Sequence, residues 1–354
     1  TRPCYRRANL PIMDLSGSED WIKWADVTWI TDELFVAPKI KNVKRVPVIV
    51  HLHSYPLLCP WWGLLYGMRE VCYMGCSLSR IVKCKQLLNR ELARLGIIGT
   101  TESSIYQVLD LVKGPLDYLG WRRAIDREVL DSIDGFIAVS KFVKKTHEEL
   151  LPIESKPVEV VYNPITYPLK YSQSVETSEE IERNWIVYAS GSNPVKGPSV
   201  LLEALKLLLD GGLSITLVMF NNRETWVEKY ARKLGVNEHV IFKGRVLSGE
   251  LYRSIFDARA VVMPSLWPEP FGRVAAEANR LGSVAIVTNR GGLPETIVHG
   301  ETGFIAEANP EDLAKKIELS MELKKSREEV RNASLFKINP NSSLSSLLRF
   351  FETM

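Results

Sequence analysis

MPSLWPEPFGRVAAEANRL, residues 263–281, is the stretch on which the reading of this chain turns. The apolar run Ala260 to Met263 just before it reads as a buried strand, and the prolines at 264, 268 and 270 stop that strand by removing backbone donors and fixing φ. Gly272 then opens a helical pattern in which Val274, Ala278 and Leu281 share one apolar face. The order is strand, rigid turn, helix. Two carboxylates bracket the helix start, Glu269 in the turn and Glu277 eight residues on. Exposed amides and a helix dipole attract phosphate, while carboxylates accept hydrogen bonds from sugar hydroxyls, so the stretch suits an anionic, hydroxyl-rich ligand. The competing reading makes Glu269 a solvated loop acid and Glu277 a simple helix partner of Arg273.

Outward from this stretch the second half alternates regularly. Strands are expected at Trp185 to Ala189, Ser214 to Phe220, His239 to Phe242, Ala260 to Met263, Val284 to Val287 and Gly303 to Ile305, with a helix between each neighbouring pair. Such alternation implies a parallel sheet covered on both faces, with ligands bound beyond the carboxyl ends of its strands. Two further loops sit at such ends. Ser190-Gly191-Ser192-Asn193-Pro194-Val195-Lys196-Gly197 is either a diphosphate cradle with a lysine or a turn with a solvated lysine. Arg290-Gly291-Gly292-Leu293-Pro294-Glu295 is either a close backbone approach to a ligand or a plain strand-to-helix turn.

The first half is less regular. Trp21 to Thr31, Val46 to Leu52, Gly135 to Val139 and Val158 to Tyr162 read as strands, and Ser140 caps a helix over Lys141 to Leu150. A helical stretch is expected near Pro115 to Leu130, and the polar segment 172–183 reads as a linker or surface loop. Between Tyr55 and Cys84 lies an aromatic, glycine-rich excursion holding four of the five cysteines. Cys59, Cys72, Cys76 and Cys84 divide among zinc ligation, disulfides and buried thiols, with the last favoured because neither cysteine pair forms a clean C-x-x-C. His53 ends the strand Val46 to Leu52 and is a candidate for the cleft. His51 is expected on the opposite face of that strand.

These residues in this order resemble retaining glycosyltransferases of family four, which have the GT-B fold. That family has Pro-Ser, then Glu-Pro-Phe-Gly, then a second Glu eight after the first, as at 264–265, Glu269-Pro270-Phe271-Gly272 and Glu277. It also has a Gly-Gly-x-x-Glu followed by Gly-x-Thr-Gly-Phe, as at Gly291 to Glu295 and Gly300 to Phe304. The resemblance implies that Glu269 meets the donor sugar, that the Phe271 and Gly272 amides lie against sugar and phosphates, and that Glu277 binds the ribose. It places Lys196 on the diphosphate with Gly191 and Ser192 beside it, Lys243 and Gly244 near the base, and His53 across the cleft on the donor sugar. A first phosphate-binding cation of the family is absent here, since Ser192 or Asn193 stands in its place, and Arg273 could supply that charge. The family's opening strand and glycine-rich loop have no recognisable counterpart before Trp21.

The implied architecture is two Rossmann-like doubly wound domains facing a cleft: an acceptor side over 1–165, a nucleotide-sugar side over 166–335, and a C-terminal helix over 336–354 returning to the first domain. The implied reaction moves a sugar from a UDP-, GDP- or ADP-sugar to a hydroxyl of a glycan, glycolipid or lipid-linked acceptor, with retention and without cofactor or catalytic metal. His53, Lys196 and Glu269 are the catalytic candidates. The rivals are a phosphorylase or epimerase on the same fold and a non-catalytic nucleotide-sugar binder. A Rossmann oxidoreductase is disfavoured because no G-x-G-x-x-G follows an early strand.

Composition sets the remaining bounds. A chain of 354 residues with 45% hydrophobic and 25% charged residues is a globular chain of two-domain size. A net charge of +3 is too mild to imply nucleic acid. No run of about eighteen uncharged apolar residues marks a membrane span, and TRPCYRRANLP at the start has no apolar core following it, against a signal peptide. The expected location is cytoplasmic, with the basic, leucine-spaced stretch Arg80 to Arg94 either a solvated helix face or a contact with the inner membrane surface.

Overall fold

The computed structural model describes residues 26–31, 36–60, 63–74, 76–97, 118–120, 127–165, 184–220, 223 and 225–353. The beginning of the strand expected from Trp21, residues 61 and 62 of the aromatic excursion between Tyr55 and Cys84, most of the helix expected over Pro115 to Leu130, and the 172–183 segment lie outside them.

In chain order the first unit contains β1 (Thr28–Thr31), α1 (Ala37–Val43), β2 (Val48–Leu52), the hairpin β3 (Leu65–Tyr66) and β4 (Glu70–Val71), α2 (Leu78–Arg94), α3 (Arg127–Asp131), β5 (Gly135–Ala138), α4 (Lys141–Leu150) and β6 (Val158–Val160). Four of these strands pair in parallel in the order β1-β2-β5-β6, apart from the β3–β4 hairpin. β5 is buried at every position, as expected of a strand covered on both faces. The second unit runs β7 (Trp185–Tyr188), α5 (Pro198–Asp210), β8 (Thr216–Met219), α6 (Trp226–Leu234), β9 (Val240–Phe242), α7 (Ser248–Asp257), β10 (Ala260–Met263), α8 (Arg273–Arg280), β11 (Val284–Thr288) and β12 (Gly303–Ala306), followed by α9 (Pro310–Glu322), α10 (Arg327–Lys337) and α11 (Pro340–Glu352). Its sheet order is β12-β11-β10-β7-β8-β9, and all the pairs are parallel. The strand order reverses direction between β7 and β10, which makes the carboxyl ends of those two strands the switch point where open sheets bind ligands.

Two expectations shift. Between β11 and β12 the expected helix is only a 3₁₀ turn, Leu293–Thr296, because Gly291, Gly292 and Pro294 leave too short a run to close α-helical turns. His51 does not face away from His53, since residues two apart on a strand share a face, and the two rings touch.

The two units meet directly. Phe271 and Ala276 of the second unit belong to the same buried apolar cluster as Val50, Tyr55, Phe136 and Val143 of the first. Tyr55 donates its hydroxyl to the carbonyl of Pro268 at 2.7 Å. Glu295 reaches across and accepts from the amides of Lys141 and Phe142, both at 2.9 Å, and from the Tyr162 hydroxyl at 2.9 Å. Those amides are among the unsatisfied donors at the start of α4, so Glu295 supplies from a distant part of the chain what a capping box supplies locally. At the C-terminus, Phe350 of α11 packs with Ile49, Ile137 and Val161 on the first sheet.

Replacing Glu295 with alanine is expected to lower unfolding free energy by about 1–2 kcal/mol, the value of a lost N-cap. Hydrogen exchange should then accelerate at Lys141 and Phe142 while amides of β10 and β11 stay protected.

Candidate functional site

Three loops converge over the carboxyl ends of β7, β10 and β11. Val195, in the loop after β7, offers its carbonyl to the amides of Leu266 and Trp267 at 2.9 and 3.1 Å. Gly292, after β11, donates its amide to the carbonyl of Glu269 at 2.6 Å, and Thr288 donates its hydroxyl to the carbonyl of Ser265 at 2.6 Å. Gly291 has φ of +63°, and a side chain there would collide with the backbone of Pro268 and Glu269. Glycine is therefore required for this close approach.

The loops enclose Glu269, which is 6% exposed. Its Oε1 accepts from Lys196 Nζ at 2.7 Å and from Ser265 Oγ at 3.2 Å, and the same ammonium lies 4.1 Å from the centre of the Trp267 ring. The reading of Glu269 as a solvated loop acid is thereby overturned: the carboxylate is buried and paired. Glu277 is 7% exposed and accepts from Arg273 Nη2 at 3.1 Å. The helix pairing expected from the sequence exists, yet the acid is not a solvated one. Burial raises its pKa, and the Arg273 guanidinium and a Tyr252 hydrogen bond oppose the rise. Arg273 itself has 64% of its side chain exposed at the mouth.

A cleft of about 350 Å³ opens between the units. His53 and Asn163 line it from the first unit; Lys196, Trp267 and Glu269 line it from the second, together with the segment Pro270 to Val274 at the start of α8. Gly272, at φ of +100°, lets the chain turn into α8 there, so backbone amides of a helix start line the cleft. Seven of the sequence candidates, Gly191, Ser192, Lys243, Gly244, Glu277, Gly291 and Gly292, lie outside this wall. Lys243 pairs with Glu250 at 2.7 Å at the end of β9, and Ser192 offers its carbonyl to the Trp226 indole at 2.7 Å. Gly291 and Gly292 act from behind, through the backbone of Glu269.

Sequence reasoning missed Asn163, Trp267 and Glu295. Asn163 was legible, because it follows β6 at the carboxyl edge of a parallel strand. Glu295 was not, since its partners are more than 130 residues away.

The cysteines and the basic stretch take structural positions. Cys59, Cys72, Cys76 and Cys84 line one small apolar cavity of about 30 Å³ and carry no disulfide. Burial pushes the Cys76 thiol up to about 12 and raises Cys84 as well. Among the described residues no three His, Cys, Asp or Glu side chains are placed to hold a metal ion. In α2, Arg80 lies over the Tyr66 ring and donates to Cys72 Sγ at 3.8 Å, while Arg94 pairs with Glu91 and Glu203. Lys83 and Arg90 remain exposed. No helix of the described residues is long and apolar enough to cross a membrane.

Residues 173–335 match the family model of glycosyl transferases group 1. Over that stretch, a little under half of the chain, the sequence is similar to this family. A relative, the uncharacterized glycosyltransferase MJ1607 of Methanocaldococcus jannaschii, is 30% identical over 193 residues, 50% of this chain and 48% of its own length. D-inositol 3-phosphate glycosyltransferase of Streptomyces avermitilis is 31% identical over 134 residues, 35% of this chain and 29% of that protein. This chain spans about half the length of the curated relatives it matches first. Among solved structures, Anabaena Alr3699/HepE in complex with UDP-glucose superposes with a TM-score of 0.63 at 16% identity, covering 99% of this chain and 88% of that one. At that identity the likeness shows the fold, which is GT-B: two parallel-sheet units facing a cleft.

Within the second unit, Lys196→Ala is expected to cost about 2 kcal/mol of stability, because it leaves the Glu269 carboxylate buried with its charge uncompensated. The double change Lys196→Met with Glu269→Gln should recover much of that loss in urea unfolding. For Glu277 the folded pKa lies above the unfolded one, so its protonation favours the fold below the unfolded pKa, and that contribution disappears as pH rises through the folded value. The stability of Glu277→Gln relative to the parent should therefore improve from pH 4 to pH 7.

Proposed function

We propose that this chain transfers a sugar from a nucleoside-diphosphate sugar to an acceptor hydroxyl with retention of anomeric configuration and without a divalent metal. The observation that carries the reading is the pairing of buried Glu269 with half-buried Lys196 beside the start of α8, in a cleft that His53 enters from the opposite unit. A leaving diphosphate needs its developing charge met by fixed donors, and a lysine with helix-start amides supplies them. On this reading the bond between the anomeric carbon and the phosphate oxygen breaks as the acceptor oxygen bonds to the same carbon on the same face. The acceptor proton passes to the departing phosphate oxygen. Glu269, tied to Lys196 before the donor arrives, accepts from donor sugar hydroxyls, and Glu277 accepts from the ribose.

The UDP-glucose bound in the HepE complex supports a UDP-sugar first among UDP-, GDP- and ADP-sugars. A glycan, glycolipid or lipid-linked acceptor is the accompanying reading, with Lys83 and Arg90 on α2 facing an anionic cytoplasmic membrane surface.

A donor panel read by nucleotide release, with chelator present, is expected to show turnover for one nucleotide class and no loss on chelation. Glu277→Ala should raise the donor KM about 10- to 100-fold, the value of a lost hydrogen bond to a charged group. Glu269→Ala should lower kcat about 100-fold with little change in donor KM. Full activity in both variants, or turnover by none of the nucleotide sugars, refutes the reading.

A further inference from the structure

His51 and His53 form a dyad at the cleft end of the first sheet. His53 lines the cleft, and its Nε2 lies 3.1 Å from His51 Nδ1. Behind the dyad the His51 ring packs against Trp29 with centroids 5.2 Å apart, and Trp29 packs in turn against Phe351 of α11 at 5.8 Å. His51 thus sits in an aromatic stack running from the C-terminal helix to the cleft wall.

We infer that His51 is a positioning residue for sugar transfer, holding the His53 ring at the cleft in a single orientation and a single tautomer. The inference rests on the proposed transfer reaction for its kinetic consequence and on the dyad geometry alone for its structural one. His51 Nε2 is buried and has no hydrogen-bond partner. A neutral imidazole carries one N–H, and placing it on Nε2 would bury an unpaired donor, whereas on Nδ1 it is donated to His53. Burial first, and the neighbouring His53 second, lower the His51 pKa to about 3, so the ring is neutral near pH 7. With His51 donating from Nδ1, His53 must accept at Nε2 and keep its own proton on Nδ1. A ring fixed in this way contacts the sugar without reorganising in the transition state.

The test uses the full chain. His51→Phe keeps an aromatic ring against Trp29 and removes the hydrogen bond; His51→Asn restores a donor near the Nδ1 position. Nitrogen-15 shifts of the imidazoles, in protein labelled at its five histidines, report the His53 tautomer independently of activity. In the parent, His53 is expected to show a protonated Nδ1 and a bare Nε2. His51→Phe should mix the tautomers and lower kcat for nucleotide release about 10-fold, within the range of a positioned proton-transfer group, with donor KM within about 2-fold. His51→Asn should recover most of both signals. An unchanged tautomer pattern in His51→Phe overturns the inference. Parallel loss of kcat, donor KM and thermal midpoint in both variants overturns it too, by showing a merely structural role. If the parent turns over no nucleotide sugar, the transfer reading fails separately, and the tautomer measurement still decides whether His51 sets His53.

Discussion

A carboxylate removed from water must find compensation, and Glu269 does so in a way that organises everything around it. Its partner Lys196 comes from the loop after β7, its second donor Ser265 from its own turn, and its backbone is clamped by the loop after β11. Burying such a pair is a poor route to stability, because desolvation offsets the Coulombic gain. The arrangement makes better sense as a held charge. Three strands must end in register for the three loops to meet, so the parallel order of β7, β10 and β11 is a condition of the pair rather than a backdrop to it.

The same loops set the relation between the two units. Pro268 and Phe271 lie within three residues of Glu269, and they are the residues that take the Tyr55 hydroxyl and enter the first unit's core. Glu295, three residues past Gly292, caps α4 across the interface. Contacts that position the carboxylate and contacts that join the units therefore share a few residues of backbone.

The second unit was largely legible from sequence because its strands are continuous apolar runs and its turns carry proline and glycine at positions no helix or strand interior tolerates. Ala260 to Met263 and the helix after Gly272 appear where those residues place them. The 3₁₀ turn after Gly292 was less legible, since a short run with proline looks like the start of an ordinary helix. Residues that join the two units were hidden for a different reason. Glu295 and Tyr55 are defined by partners 153 and 213 residues away, and no local periodicity encodes such distances. His51 lies on the same face as His53, as strand alternation itself dictates for residues two apart and as the contact between their rings shows.

The two walls of the cleft differ in kind. The wall built by the second unit carries its charges already paired, Lys196 with Glu269 within the wall and Arg273 with Glu277, which lies outside it. The wall built by the first carries His53 against a neutral His51, with Asn163 as a further uncharged contact. An incoming diphosphate would compete with Glu269 for the Lys196 ammonium, and that exchange stays within one rigid unit. On the proposed reaction, the first unit would add orientation and exclusion of water, which strengthens electrostatic interactions on the opposite wall. The two walls therefore draw on different parts of the chain: the charged groups come from the loops of the second unit, and His53 and Asn163 from the strand ends of the first.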